Sequence, residues 1–182
     1  WIAAAAREAV AARGAFRLVL AGGETPRGVY EELRAIDTDW SAWQVWFSDE
    51  RCLARDDPHR NSRMAEAALL SHVPIPPERI YVVRGERGAE QAAADYRAAL
   101  AGAAEFDLVL LGLGEDGHTA SLFPGDDWGE APGAPDVLAV HAAPKPPAQR
   151  VSLSARRLGR TRCALFLVTG AGKHGAVSAW RA

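Results

Sequence analysis

The chain has 182 residues, enough for one domain or one domain with a small lobe. Its hydrophobic fraction is 48%, its charged fraction 24% and its formal net charge −2, a balance that argues against nucleic acid as the main partner. No apolar run approaches the roughly 18 residues of a membrane span, no signal peptide is visible, and Cys52 and Cys163 form no CxxC pair, so a reduced, cytoplasmic setting is expected.

Residues 1–13 are alanine-rich and read as a helix that Gly14 stops. Residues 16–21, FRLVLA, read as a short buried strand. Gly22-Gly23-Glu24-Thr25-Pro26 follows, with Thr25 expected to N-cap a helix to about Arg34 and Pro26 at its first position. Residues 44–47 read as a second strand, and Ser48-Asp49-Glu50-Arg51 sits at its carboxyl end. After a charged loop over 52–60, Asn61 is expected to cap a helix ending near His72. Pro74, Pro76 and Pro77 enforce a connector, residues 79–83 read as a third strand, and 89–101 as a helix.

The apolar run Leu108 to Leu111 then feeds into GLGEDGHTASLFPG. Beyond a turn-rich stretch over 125–135, strands are expected at 137–142, 150–153 and 163–168, with the first two separated by the Pro144 to Pro147 connector. Gly170-Ala171-Gly172-Lys173 starts a last helix that is still running at Trp180-Arg181-Ala182. Strands alternating with helices imply an α/β fold, doubly wound, with a mostly parallel sheet flanked by helices. The later, closely spaced strands imply a short antiparallel extension. A single domain over 1–182 is expected, with native residues missing at both ends, because the chain starts at Trp1 and stops inside a helix.

Several stretches carry possible chemistry. Glycines between a strand and a helix, as at Gly22-Gly23, let backbone N–H groups approach an anion. The same residues also make an ordinary tight turn, and Glu24 opposes an anion unless its side chain points away. GLGEDG, residues 112–117, matches GxGxxG after a strand. A dinucleotide fingerprint needs a long helix opening at the glycines, which Pro124 cuts short. Gly172-Lys173 is not a P-loop, since position 167 is Leu and His174 stands where Ser or Thr is required. His118 lies in a polar loop at a strand end, a setting suited to a general base. Asp49-Glu50-Arg51, at the end of another strand, offers a carboxylate to orient a partner and a guanidinium for an oxyanion, although alone it reads as a solvated charge cluster. Arg150 and Lys173 supply further cations. The five histidines show no HExxH spacing, so no metal site is expected.

Together, LAGGETPRGVYEEL, WFSDERCLARDDPHRNSRM, FDLVLLGLGEDGHTASLFPG, PPAQRVSLSARRL and LVTGAGKH resemble the 6-phosphogluconolactonases, within the wider glucosamine-6-phosphate isomerase/deaminase and lactonase superfamily. The resemblance implies a site at the carboxyl ends of the strands. It places Gly22, Gly23 and Thr25 on a phosphate-binding turn, Arg150 and Lys173 as cationic phosphate ligands, and Asp49, Arg51 and His118 on the catalytic edge. The family usually has Ser where this chain has Glu24.

The implied activity is hydrolysis of 6-phospho-D-glucono-1,5-lactone to 6-phosphogluconate, in the oxidative pentose phosphate pathway. His118 would be the base, Arg51 the oxyanion partner, and Asp49 would orient His118, Arg51 or a sugar hydroxyl. The glycines of the 112–117 loop would clear space for the sugar ring. No cofactor or metal is needed, because a lactone is an activated ester. The partner is a small sugar phosphate lactone, and the protein a monomer or homodimer. Two alternatives are a glucosamine-6-phosphate deaminase/isomerase, whose usual Asn-Glu-Pro after the histidine is absent, and a non-catalytic sugar-phosphate sensor, for which no DNA-binding segment is present.

Overall fold

In the computed structural model, which describes residues 1–180, the apolar runs form two sheets. The expected continuation of the last helix through 181–182 lies outside the described residues. The first sheet is parallel and has four strands: β1 (Phe16–Leu20), β2 (Trp43–Phe47), β4 (Leu108–Leu111) and β7 (Ala164–Phe166), in the order β2-β1-β4-β7. Its register pairs Phe16 with Trp43 and Leu18 with Leu108. β1, β2 and β4 are buried almost throughout, as near-continuous apolar strands covered on both faces should be. The helices are α1 (Ile2–Arg13), α2 (Glu24–Leu33), α3 (Asn61–Ala65), α4 (Ala89–Leu100), α5 (Ala155–Leu158) and α6 (His174–Trp180). No described helix is long and apolar enough to cross a membrane.

The antiparallel strands make a second, three-stranded sheet: β3 (Asp49–Arg51), β5 (Val137–Val140) and β6 (Arg150–Leu153), in the order β3-β6-β5. Ser48 joins the two sheets. Its N–H donates to Leu20 O, and its carbonyl accepts from Leu153 N. Chain leaving β2 therefore passes straight into the second sheet and carries Asp49-Glu50-Arg51 with it.

The core runs through both sheets and includes Phe16, Leu18, Trp43, Trp46, Phe47, Phe106 and Val151. Each such side chain contributes about 1.5–3 kcal/mol on full burial. Two tyrosines are built into it differently. The Tyr30 hydroxyl accepts from Ala21 N and donates to Ala21 O, both at 2.8 Å. The Tyr96 hydroxyl does the same for Phe47, at 2.8 and 3.1 Å. Ala21 follows β1 and Phe47 ends the edge strand β2, so each hydroxyl satisfies both backbone groups of a residue at a strand end. Arg157, fully buried, lies over the Phe106 ring at 3.7 Å and donates to Ala104 O. Burial lowers its guanidinium to about 10.

Several local expectations change. Residues 79–83 are not a strand. Ile80 makes one parallel bridge to Val45, Tyr81 stacks on Trp46 at 3.7 Å, and the chain then leaves the sheet edge, where the Val83 carbonyl accepts from buried Arg60. The 61–72 helix is α3 followed by a π-helical turn, Glu66–Leu70. Arg60, not Asn61, stands at its N-cap, because the Asn61 side chain is engaged with Asp49. Gly23, not Thr25, is the N-cap of α2; Thr25 lies inside the helix and its hydroxyl is 2.7 Å from that of Thr169.

Candidate active site

The period-two alternation of β3 sorts its three charges. Asp49 and Arg51 line a cleft of about 300 Å³ at the carboxyl ends of β1 and β4, while Glu50 points the opposite way. Glu50 is fully buried and accepts from the N–H groups of Arg51, Asn61 and Ser62, at 2.7–2.9 Å. Its carboxylate thus sits on the N-terminus of α3, where negative charge is favoured. Glu50 is the organiser of the charged segment, and Asp49 and Arg51 are what it presents. A solvated charge cluster is ruled out, since Asp49 is 6% exposed and Glu50 0%.

Asp49 accepts from Ser121 Oγ at 2.7 Å on Oδ2, and from Asn61 Nδ2 at 3.0 Å on Oδ1. Asn61 packs so closely on the Gly22 turn that a Cβ at Gly22 would fall on its amide. That contact, rather than turn geometry, is why a glycine is required there.

His118 is not paired with Asp49. Its Nδ1 lies 2.5 Å from Asp116 Oδ1, inside the same loop. Partial burial pushes the Asp116 carboxyl up, but hydrogen bonding to His118 and the imidazole charge outweigh it and hold the group below its ordinary value. A carboxylate on Nδ1 fixes the tautomer that leaves Nε2 free to take a proton. Asp116 was not singled out from the sequence, and its position two residues before the histidine is the signal that could have found it. A Cβ at Gly114 would strike both His118 Nδ1 and the Asp116 carboxylate. This loop glycine makes room for the histidine–carboxylate pair rather than for a sugar.

The Phe123 ring, 4% exposed, packs 4.7 Å from the His118 ring and lies 5.6 Å from the Arg150 guanidinium. Arg150, Arg51, Lys173 and Lys145 all line the cleft with Gly22 and Gly23. Lys145 was not singled out from the sequence; the Pro144–Pro147 connector conceals it. Arg150 reaches back to donate to Pro147 O and Lys145 O. Burial pulls its guanidinium below the ordinary value, and the Asp49 charge opposes that. Arg51 donates to His59 O, and its buried Nε has no hydrogen-bond partner among the described residues. Glu24 turns outward to pair with Arg27 and does not face the cleft. Thr25 stands beside Thr169 at the edge and is not part of the cleft wall. His59, His72, His141 and His174 are exposed, and no described group of three or more His, Cys, Asp or Glu is placed to hold a metal ion.

A wider groove of about 1190 Å³ lies between residues 55–71 and 77–87. Its wall is crossed by the Arg60–Glu86 and Arg63–Glu66 pairs, and it holds neither the histidine nor the glycine turn.

The whole chain, residues 1–182, matches the family described as glucosamine-6-phosphate isomerases/6-phosphogluconolactonase. It is 37% identical over 193 residues to the 6-phosphogluconolactonase of Streptomyces coelicolor, covering 94% of this chain and 72% of that protein. It is 36% identical over 194 residues to a probable chloroplastic 6-phosphogluconolactonase 3 of Oryza sativa subsp. indica. That match covers 93% of this chain, which spans 57% of the length of the rice relative. The crystal structure of 6-phosphogluconolactonase from Thermotoga maritima superposes with a TM-score of 0.90 at 30% identity, covering 97% of this chain and 80% of that one. A monomeric glucosamine-6-phosphate deaminase superposes with a TM-score of 0.82 at 22% identity, a likeness of fold alone.

Proposed function

Because this chain belongs to the family of glucosamine-6-phosphate isomerases and 6-phosphogluconolactonases, we propose that it hydrolyses 6-phospho-D-glucono-1,5-lactone to 6-phosphogluconate, a step of the oxidative pentose phosphate pathway. The observation that carries the reading is the Asp116-oriented His118 in a cleft walled by Arg51, Arg150 and Lys173. An anionic sugar with an ester carbonyl is what such a cleft suits. The unpaired Cys52 and Cys163 support a reducing, cytoplasmic setting.

The phosphate is held by Arg150, Lys173 and the backbone of Gly22-Gly23, at the N-terminus of α2. Its binding energy places the lactone carbonyl near His118. His118 Nε2 takes a proton from water as the water oxygen bonds to C1. Arg51, which lines the cleft, receives the developing oxyanion with its guanidinium. The imidazolium, stabilised by Asp116, then gives its proton to the ring oxygen as the C1–O bond breaks. Asp49 Oδ1 already accepts from Asn61 and Ser48, so a hydroxyl of the sugar donates to Oδ2, beside the bond from Ser121.

A pH-stat assay with freshly prepared lactone tests the reading. Acid release above the spontaneous rate is expected, with 6-phosphogluconate as product. Binding of 6-phosphogluconate without turnover would instead identify a sensor, and ammonia release from glucosamine 6-phosphate would identify a deaminase.

A further inference from the structure

Ser121 lies three residues after His118 and is 2% exposed. Its hydroxyl donates to Asp49 Oδ2 at 2.7 Å, and its N–H donates to the Ser152 hydroxyl at 3.2 Å. Asp49 and Ser152 face each other across β3 and β6. One residue of a loop that grows from the parallel sheet therefore grips two strands of the antiparallel one.

The backbone between His118 and Ser121 is strained. Ala120 has φ of 49°, the only positive φ outside glycine among the described residues. Left-handed geometry forces an alanine Cβ against the following carbonyl, and it persists where surrounding contacts overdetermine it. They do so here. Leu122 N donates to Thr119 O at 2.9 Å, the Thr119 hydroxyl donates to Gly112 O at 2.8 Å, and Ser121 is seated on Asp49. Asn61 holds the same carboxylate from its other side, at 3.0 Å.

We propose that Ser121 is a positioning residue that locks the histidine loop onto the Asp49 carboxylate and so fixes the separation between His118 and Asp49. The proposal rests on the lactonase reading of the cleft. Ser121 touches neither water nor substrate in this scheme; it acts through the two groups that do. Strain at Ala120 is the consequence of pulling Ser121 down onto Asp49 while His118 stays at the cleft wall.

Ser121→Ala removes one oxygen and leaves the backbone intact. Its kcat should fall about ten- to a hundredfold, the scale of a small misplacement of a catalytic group, with KM changed less than about twofold. Ser121→Cys, nearly isosteric with a weak donor, should fall between the two. In a double-mutant cycle, Ser121→Ala should add little once Asp49→Asn is in place. The ring ¹H–¹⁵N resonances of His118 read the same coupling without turnover. They should move in Ser121→Ala and in Asp49→Asn, and the double variant should match Asp49→Asn. Additive losses, or His118 ring signals that stay in place in Ser121→Ala, overturn the proposal. A wild-type protein that leaves the lactone untouched overturns the functional reading alone, and the ring spectra still decide the role of Ser121.

Discussion

Arg51 and Arg150 stand directly opposite each other across the antiparallel β3–β6 pair, with both side chains on the cleft. Like charges in that position disfavour the pairing. Asp49, two residues along the same face, offsets part of the repulsion, and a bound anion removes more. Inorganic phosphate or 6-phosphogluconate should therefore stabilise the folded protein, by about 2.7 kcal/mol at a hundred times its Kd. Thermal melts across a phosphate series check this. A Tm that ignores both anions would remove the anion site from the cleft.

The Asp116–His118 pair predicts a division of labour. His118→Ala should lower kcat by about 10²–10⁴, with KM little changed. Asp116→Asn keeps an acceptor for Nδ1 but loses the charge that stabilises the imidazolium, so kcat should fall while KM holds. The pair also carries a pH signature. The Asp116 carboxyl is depressed in the folded protein, so its contribution to stability is present above the ordinary value of 3.8 and is lost as pH falls through the depressed one. Urea denaturation of wild type and Asp116→Asn should differ at neutral pH and converge in acid. A constant gap across that range would contradict the assignment.

Arg150 and Lys173 share the phosphate in the proposed scheme but not their structural duties. The Lys173 side chain lines the cleft and makes no hydrogen bond or ion pair among the described residues, and Lys173→Ala should raise KM with stability within about 0.5 kcal/mol of wild type. Arg150 also donates to two carbonyls of the Pro-rich connector. Arg150→Ala should raise KM and cost about 1–3 kcal/mol of stability, from two lost hydrogen bonds of about 0.5–1.5 kcal/mol each. Steady-state kinetics beside denaturant titrations separate the two. Equal stability losses in both variants would refute the distinction.

Glu50 is expected to be the most sensitive acidic position for folding. It receives three backbone N–H groups, and the guanidinium of Arg60 lies 3.4 Å away. Glu50→Ala should destabilise the protein by about 3–5 kcal/mol, the usual loss when one partner of a buried ion pair is removed. Arg60 retains Glu86 at 2.8 Å, which limits the damage on its side. A denaturation midpoint close to that of wild type would show that α3 is anchored elsewhere.

Much of this was legible because strand ends and glycine turns are local signals. Leu108 to Leu111 followed by a glycine-rich loop announced a buried strand with a site beyond it, and His118 stands there. The segment 79–83 misled because RIYVV has strand composition, yet its aromatic ring is used for stacking on Trp46 and only Ile80 bridges. Thr25 misled because its Thr-Pro sequence imitates a cap, while the helix starts two residues earlier. The Ser121–Asp49 and Asn61–Asp49 bonds span 72 and 12 residues. Neither has any local signature, so sequence could name Asp49 but not what holds it.

The Tyr30 hydroxyl finishes one wall of the cleft before any substrate arrives. By occupying both backbone groups of Ala21, which lines the cleft, Tyr30 stands in for the rung that a neighbouring strand would otherwise supply. That wall is thus a finished surface with its polar edge already sealed, and a ligand entering beside it has no ladder to pry apart. Opening is a property of the resting protein, and what remains for the sugar phosphate is to choose its orientation within it.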